Sequence, residues 1–264
     1  MQLSEQQLNH FRTFGFLIFR QLLSSDEVEQ YRREFDSGME AWRNNGQQQE
    51  GTRLWAPLMD ANTPFISSLL DDPRFADVAE QLLGKPVVGI LTDGNYYVGD
   101  TQWHPDTVTL EAIKFTVYLD PLDANSGALR VIPGSHRESL HGQMVRGDTQ
   151  AVFGVRPDEI PAYVFESKPD DVLVFKMAIW HAAFGGSNHR RMGTVDYYED
   201  PTTPEATLAF QKELGRHVQG YLQKWGSAKQ HYPPYWRSIN NPRHQRWVRR
   251  LAELTLLDNP APVS

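Results

Sequence analysis

Gln102-Trp103-His104-Pro105-Asp106 is the stretch from which the fold and chemistry of this chain can be predicted. On an extended strand, residues i and i+2 point to the same side, so His104 and Asp106 can reach one metal ion together. A tight site needs a further ligand from elsewhere, and His181 in Ile179-Trp180-His181 is the best candidate. Two histidines and one carboxylate on one face of an ion leave the other positions open, which is the arrangement of non-haem Fe(II) oxygenases.

The composition is that of an ordinary globular protein with few types of metal ligand. The chain has 264 residues, a formal net charge of -7 and no cysteine. Such a length suits one sizeable core, so we expect a single domain over residues 1–264. The absence of cysteine excludes disulfides, iron–sulfur clusters and thiolate nucleophiles, and it leaves His, Asp and Glu as the metal ligands.

Charge and hydropathy set expectations for partners and location. The mild acidity argues against a nucleic-acid surface, which needs a basic face. No apolar run is long enough to span a membrane, and residues 1–5 show no basic region followed by an apolar run, as a signal peptide would. A chain without cysteine fits a reducing cytosol, so we expect a cytoplasmic protein with no membrane or nucleic-acid partner. The sequence does not predict the oligomeric state.

The order of predicted elements is helices, then many short strands, then helices. Helical patterns precede residue 84, and two more are predicted at 205–225 and 245–256. Short strands are predicted at 87–91, 95–98, 113–119, 128–132, 172–175 and 194–198. Many short strands indicate a sandwich or barrel. We therefore predict a mixed α+β protein with a mainly β core, a cupin-like jelly roll or double-stranded β-helix over about 85–200, flanked by helices at 1–84 and 201–264.

Two long polar segments are candidates for substrate recognition. The segment 44–62 is loop-like but contains Arg53, Trp55 and Met59, and the segment 142–168 is irregular with scattered prolines. Long loops that carry large aromatics often form lids or binding loops. Neither segment has the dense Lys/Arg cluster that a CoA phosphate would need, so a small polar metabolite or a natural-product intermediate is the favoured substrate class.

Three stretches together resemble the phytanoyl-CoA dioxygenase family of Fe(II)- and 2-oxoglutarate-dependent oxygenases. They are Trp103-His104-Pro105-Asp106, then Ser126-Gly127-Ala128-Leu129-Arg130-Val131-Ile132-Pro133-Gly134-Ser135-His136, and then His181 followed by Arg190-Arg191. The resemblance runs from about Gln7 to Tyr198. It implies a double-stranded β-helix with Fe(II), 2-oxoglutarate and O2 as cofactors, and ascorbate as the reductant in an assay.

The resemblance also implies roles for individual residues. His104, Asp106 and His181 would be the iron ligands. Related halogenases have Ala or Gly at the position of Asp106, so the carboxylate here points to oxygen transfer. The distal carboxylate of 2-oxoglutarate would be bound by an arginine that follows the second histidine, because a guanidinium binds a carboxylate through two hydrogen bonds.

Two adjacent arginines compete for that role, and strand alternation allows only one of them to point inward. Counting back from Tyr197 favours Arg190. The polarity of the faces disagrees, because Arg191 shares its side with the apolar set Gly193, Val195 and Tyr197. Thr116 could hydrogen-bond the same carboxylate. Four further side chains could line the substrate pocket, although aromatics are more often core residues: Trp55, Tyr96, Gln102 and Trp180.

The resulting hypothesis is an oxygenase that hydroxylates or otherwise oxidises a small molecule and releases succinate and CO2. One alternative is a metal-dependent hydrolase or isomerase on a cupin-like barrel, in which the triad holds Zn²⁺ and an activated water. Another is a non-catalytic protein that binds a small molecule on the same scaffold. The hydrolase would not need an arginine placed for a dicarboxylate and would not consume O2, whereas the binding protein should tolerate the loss of a ligand, and all the ligand types are intact here.

Overall fold

Two antiparallel sheets lie at the centre of the fold. The computed structural model describes residues 1–46, 52–137, 149–186, 190–226 and 230–258. The larger sheet has the order β1-β8-β5-β10-β3-β2 and the smaller one β4-β9-β6-β7. The strands are β1 Phe16–Phe19, β2 Leu54–Pro57, β3 Val87–Tyr97, β4 Thr101–His104, β5 Ala112–Tyr118, β6 Leu129–Val131, β7 Tyr163–Val164, β8 Val172–Lys176, β9 His181–Ala183 and β10 Arg190–Glu199.

Helices precede and follow the strands β3–β10 in sequence, a short helix lies between β6 and β7, and local signals fix several of the helix ends. They are α1 Glu5–Phe14, α2 Ser25–Gly46, α3 Pro64–Ser68, α4 Pro73–Leu83, α5 Thr149–Phe153, α6 Pro204–Trp225, α7 Pro234–Arg237 and α8 Pro242–Glu253. Ser4 and Gln7 form a reciprocal capping box at the start of α1. Thr203 caps α6, with Pro204 at its first position. The flanked jelly roll that the sequence predicts is confirmed.

Most of the apolar packing lies outside the barrel, between the larger sheet and the helices. That cluster includes Tyr31 and Phe35 of α2, Phe115 of β5, Tyr197 of β10 and Trp247 of α8. A smaller apolar cluster fills part of the space between the two sheets. Because the helices supply the main core, the inner faces of the strands are free to carry polar groups.

The register of β10 defines these inner faces. Thr194 pairs with Asp93 of β3 and with Thr116 of β5, and Asp196 pairs with Lys114 of β5. Since alternate residues share a face, Arg190, Met192, Thr194 and Asp196 form one row on the inner side. At ~3.3 Å per residue, this row extends about 20 Å from Arg190 to Asp196.

The described parts of the segment 44–62 are more regular than the sequence predicts, and its residues 47–51 lie outside the described residues. Helix α2 continues to Gly46, and β2 pairs with β3 as an edge strand that tolerates Pro57. The described part of the other predicted loop, 149–168, contains α5 and β7, and its residues 142–148 lie outside the described residues.

Strand β3 is one strand where two were predicted. The residues between the two predicted strands, Thr92, Asp93 and Gly94, are buried within the sheet. Asp93 accepts hydrogen bonds from Trp55 Nε1 (2.8 Å) and Asn95 Nδ2 (3.1 Å), which satisfies its carboxylate there. Gly94 is needed because α2 packs directly against its backbone.

None of the helices in the described ranges combines the length and the apolar character required to cross a bilayer.

Candidate metal centre and adjoining cavities

The three predicted ligands meet at one end of the space between the sheets. His104 ends β4 and His181 begins β9, and the two residues are paired in the small sheet. Asp106 follows in a loop, and its own backbone N–H donates to the carbonyl of Met177 at 2.8 Å. Asp106 Oδ1 lies 3.9 Å from His104 Nε2 and 3.7 Å from His181 Nε2. Ligand atoms on one divalent ion lie about 3–4 Å apart when each bond is near 2.1 Å, so the geometry fits one ion.

Backbone carbonyls select the histidine tautomer that a metal ion needs. His104 Nδ1 lies 2.7 Å from the carbonyl oxygen of Gln102, and His181 Nδ1 lies 3.0 Å from that of Ile179. In each ring Nδ1–H therefore donates to the backbone and Nε2 keeps its lone pair for a metal. Burial lowers the pKa of His181 to about 4, although Asp106 opposes this shift. The ring is thus neutral near pH 7, as a ligand must be.

Lys114 holds the second oxygen of Asp106. Its Nζ donates to Asp106 Oδ2 at 2.8 Å, so Oδ1 alone faces the two histidines. Burial by itself raises the pKa of Asp106, but the charge and hydrogen bond of Lys114 together with the two histidines outweigh it and hold this pKa well below its usual range. Lys114 has no role in the prediction from the sequence. Its spacing of two from Thr116 was the available signal, because both side chains line the same cavity.

Arg190 lies in the cavity that leads away from the triad between the sheets. Its side chain is nearly fully buried, at 3% exposure, and Nη2 donates to the carbonyl of Gly99 at 2.8 Å. Nε and Nη1 have no hydrogen-bond partner among the described residues. Thr116 Oγ1 is also buried without a partner in that part of the chain and lines the same cavity. Free donors on a buried guanidinium fit the carboxylate of a dicarboxylate such as 2-oxoglutarate.

Two glycines make room for this guanidinium. A Cβ atom on Gly127 or on Gly186 would collide with Arg190 Nη1. Gly127 also has a φ of 87°, a left-handed conformation that glycine adopts without strain. The glycine of the Ser126-Gly127-Ala128 stretch is therefore required both by its backbone and by its neighbour Arg190.

Arg191, the alternative to Arg190, points to the other face of β10. It donates to both oxygens of Asp120, at 3.0 and 2.6 Å, and to Asp36 Oδ2 of α2 at 2.8 Å. It is not among the residues that line the cavity. The polarity argument was misleading because the apolar side of β10 faces the helices, while the inner side carries the polar groups.

The four predicted substrate contacts lie in different parts of the structure. Trp55 lines a second cavity beside the triad. Tyr96 instead faces α2, where its hydroxyl donates to Asp36 at 2.9 Å, and its neighbour Tyr97 lines the cavity of Arg190. Gln102 is exposed. Trp180 is buried in a small apolar cluster with Trp103 and Phe184.

The second cavity lies at the opposite end of the inner row of β10. Asp106 and Lys114 line both cavities. Asp93 and Asp196 contribute further carboxylates, and α6 provides the facing wall through residues that include Leu214. Sequence reasoning missed Asp196, although its even spacing from Arg190 places it on the same face. It also missed the wall from α6, since the chain beyond Pro201 carried no recognisable motif.

A family model described as phytanoyl-CoA dioxygenase (PhyH) matches residues 11–193. Among curated proteins, an ectoine dioxygenase of Bordetella bronchiseptica is 27% identical over 158 residues, which cover 52% of this chain and 51% of that protein. This chain therefore spans about half the length of the curated relatives it matches.

Solved structures share the fold. HygX from Streptomyces hygroscopicus, with nickel and 2-oxoglutarate bound, superimposes with a TM-score of 0.61 at 18% identity, over 78% of this chain and 94% of that one. EctD from S. alaskensis in its apoform gives a TM-score of 0.58 at 22% identity, over 75% and 77% of the two chains. At these identities the likeness shows the fold.

Proposed function

Because the chain belongs to the phytanoyl-CoA dioxygenase family, we propose that it is an Fe(II)- and 2-oxoglutarate-dependent oxygenase that hydroxylates or otherwise oxidises a small molecule. One observation carries the proposal. The His104, Asp106 and His181 triad shares a cavity with a buried arginine whose Nε and Nη1 have no partner in the described chain. A hydrolase or a simple binding protein on this scaffold has no use for a buried dicarboxylate site.

Each residue has a defined task in this proposal. His104, Asp106 and His181 hold Fe(II), with open positions left on the ion. Arg190 and Thr116 bind the distal carboxylate of 2-oxoglutarate and so orient its other end towards the metal. Lys114 keeps Asp106 ionised and limits it to one coordinating oxygen. When bound, Fe(II), 2-oxoglutarate and O2 supply the oxidising chemistry, with succinate and CO2 as coproducts.

The carboxylate of Asp106 supports a hydroxylase rather than a halogenase. Its side chain occupies the third ligand position, and Lys114 fixes it there by a charge-assisted hydrogen bond. A halide ligand would need that position to be vacant.

The substrate is proposed as a small polar metabolite, oxidised in the cytoplasm without a nucleic-acid or membrane partner. Ectoine is the first compound to test, because the curated relatives are ectoine dioxygenases by name.

Succinate formation tests the proposed function. Protein reconstituted with Fe(II), 2-oxoglutarate and ascorbate in air should release succinate, and ectoine should be compared with other small metabolites as a stimulant. Asp106→Ala should abolish the iron-dependent part, because the ion loses its only anionic protein ligand in the triad. Full activity of Asp106→Ala, or the absence of any iron-dependent succinate together with no binding of 2-oxoglutarate, would contradict the proposal.

A further inference from the structure

The second cavity adjoins the metal centre on the side away from Arg190. It shares Asp106 and Lys114 with the cavity of Arg190. Asp196 lies at the end of the inner row on β10, about 20 Å along the strand from Arg190. A molecule in the second cavity would thus reach the metal from the end opposite to the arginine.

Asp196 is a buried carboxylate with an unused oxygen in this cavity. The residue is only 6% exposed, and Oδ1 has no hydrogen-bond partner within the described residues. Lys114 Nζ lies 3.8 Å from Asp196 Oδ2 but 2.8 Å from Asp106 Oδ2, so its hydrogen bond goes to Asp106. A buried acceptor without a donor is costly, which makes Asp196 a strong site for a donor from outside the chain.

The surroundings of Asp196 favour its neutral form when no cation is bound beside it, and a bound cation would favour the ionised form. Burial raises the pKa of Asp196 well above its usual range, although Lys114 opposes the shift. Asp93 also lines the cavity, and its oxygens are already bonded to Trp55 and Asn95. Arg216 lies on the cavity wall, but it is exposed and donates to the carbonyl of Lys212 of its own helix. The inner part of the cavity therefore has more carboxyl groups, those of Asp93, Asp106 and Asp196, than cationic groups, of which Lys114 is one.

Aromatic and neutral side chains form the remaining walls. Trp55, Tyr198 and Tyr221 line the cavity, and aromatic rings interact favourably with organic cations. His231 lines it as well, and burial lowers its pKa to about 4, so it is neutral near pH 7. His217 completes this part of the lining but is exposed.

We propose that this cavity binds the substrate through a cationic nitrogen, such as a protonated amine or amidine, whose N–H groups donate to Asp196. The inference rests on the proposed oxygenase in calling the bound molecule a substrate. The binding itself needs neither iron nor 2-oxoglutarate.

Three probes of matched shape and different charge test the proposal: benzylammonium, benzyl alcohol and benzoate. Their binding to the full chain is measured by saturation-transfer NMR titration. Benzylammonium should bind the wild type more tightly than the other two. Asp196→Asn should weaken it by about tenfold or more, because a charge-assisted hydrogen bond is lost. Asp26→Asn, an exposed change of the same kind in the first turn of α2, should leave binding unchanged.

A second pair of variants leaves Asp196 unchanged, so it tests the proposal even if the Asp196→Asn protein fails to fold. Gly220 lines the cavity on α6, and a Cβ atom placed there meets nothing within 4 Å. Replacing a helical glycine also favours the helix. Gly220→Lys should weaken benzylammonium binding, and Gly220→Glu should maintain or strengthen it.

The proposal is overturned if benzylammonium does not bind the wild type, if the alcohol or benzoate binds equally well, or if Asp196→Asn and Gly220→Lys both keep wild-type affinity. These results are independent of turnover. A protein that binds benzylammonium through Asp196 but makes no succinate supports the cation site and contradicts the proposed oxygenase. A protein that makes succinate but does not bind benzylammonium supports the oxygenase and contradicts the cation site.

Discussion

Gly127 shows how a single residue couples a sequence motif to the site. Its left-handed φ of 87° disfavours a side chain on backbone grounds, and the guanidinium of Arg190 occupies the space where a Cβ would lie. The motif that contains Gly127 thus supports the arginine from a distant part of the sequence. The sequence could show that a glycine is present, but the identity of its neighbour required the fold.

Gly127→Ala should therefore impair 2-oxoglutarate binding while the protein still binds Fe(II). The added methyl group displaces Arg190, whereas the triad is not touched. Gly84→Ala is the matched control, because Gly84 has a φ of 70° and a Cβ atom placed there meets nothing within 4 Å. Both variants should lose about 1–2 kcal/mol of unfolding free energy from backbone strain.

Isothermal titration of 2-oxoglutarate into the Fe(II) protein under anaerobic conditions measures the difference. The account requires weaker binding for Gly127→Ala alone. Equal affinities of the two variants would show that Gly127 serves the backbone and not Arg190.

Strand β10 shows what alternation can and cannot decide at the scale of an element. Alternation correctly separates Arg190 from Arg191, and it would have placed Lys114 with Thr116 and Asp196 with Arg190. It cannot say which of two faces is the inner one. In a jelly roll covered by helices, the apolar face of a central strand is the one that packs on the helices, so polarity predicted the wrong direction.

Helix α4 is tied to α2 by an ion pair whose effect depends on pH. Arg74 Nη1 donates to Glu27 Oε2 at 3.1 Å, and the guanidinium also binds Asp72, the N-cap of α4. This hydrogen bonding with Arg74 is the main reason that the pKa of Glu27 is lowered to about 2. A carboxyl group with a depressed folded-state pKa stabilises the protein above its unfolded pKa, and this contribution is lost as the pH falls towards the folded value.

Between about pH 5 and pH 3, the wild type should therefore lose more unfolding free energy than Glu27→Gln, which has no carboxylate to protonate at this position. Urea denaturation at the two pH values gives the comparison. Identical losses in the two proteins would mean that the pair between α2 and α4 contributes nothing to acid stability.

At the scale of the whole molecule, the jelly roll and the candidate triad could be predicted from the sequence better than the second cavity could. The short strands, the paired histidine and carboxylate, and the arginine motif carry local signals, so the jelly roll and the candidate triad could be predicted. The second cavity could not, because its wall on α6 comes from an amphipathic helix whose contacts depend on tertiary packing. Buried Asp196 is likewise recognisable only once the strands are in register.

Two cavities adjoin the metal centre. The inner row of β10 begins with Arg190 and ends with Asp196. Asp106 lines both cavities, and the two histidines line the cavity of Arg190. One end is suited to an anionic cosubstrate and the other to a cationic substrate. The metal would then bring the two molecules together from opposite ends of the barrel.

The central claim is that Arg190 binds 2-oxoglutarate beside the metal centre. Anaerobic titration of 2-oxoglutarate into the Fe(II)-loaded protein tests this claim most directly. The visible charge-transfer band of the 2-oxoglutarate chelate reports binding without turnover. Arg190→Met should shift the half-saturating concentration upwards by about tenfold or more, because a bidentate carboxylate contact is lost. Arg191→Met, the adjacent change on the opposite face, should titrate like the wild type. The reverse pattern, or no band in the wild type, would contradict the account.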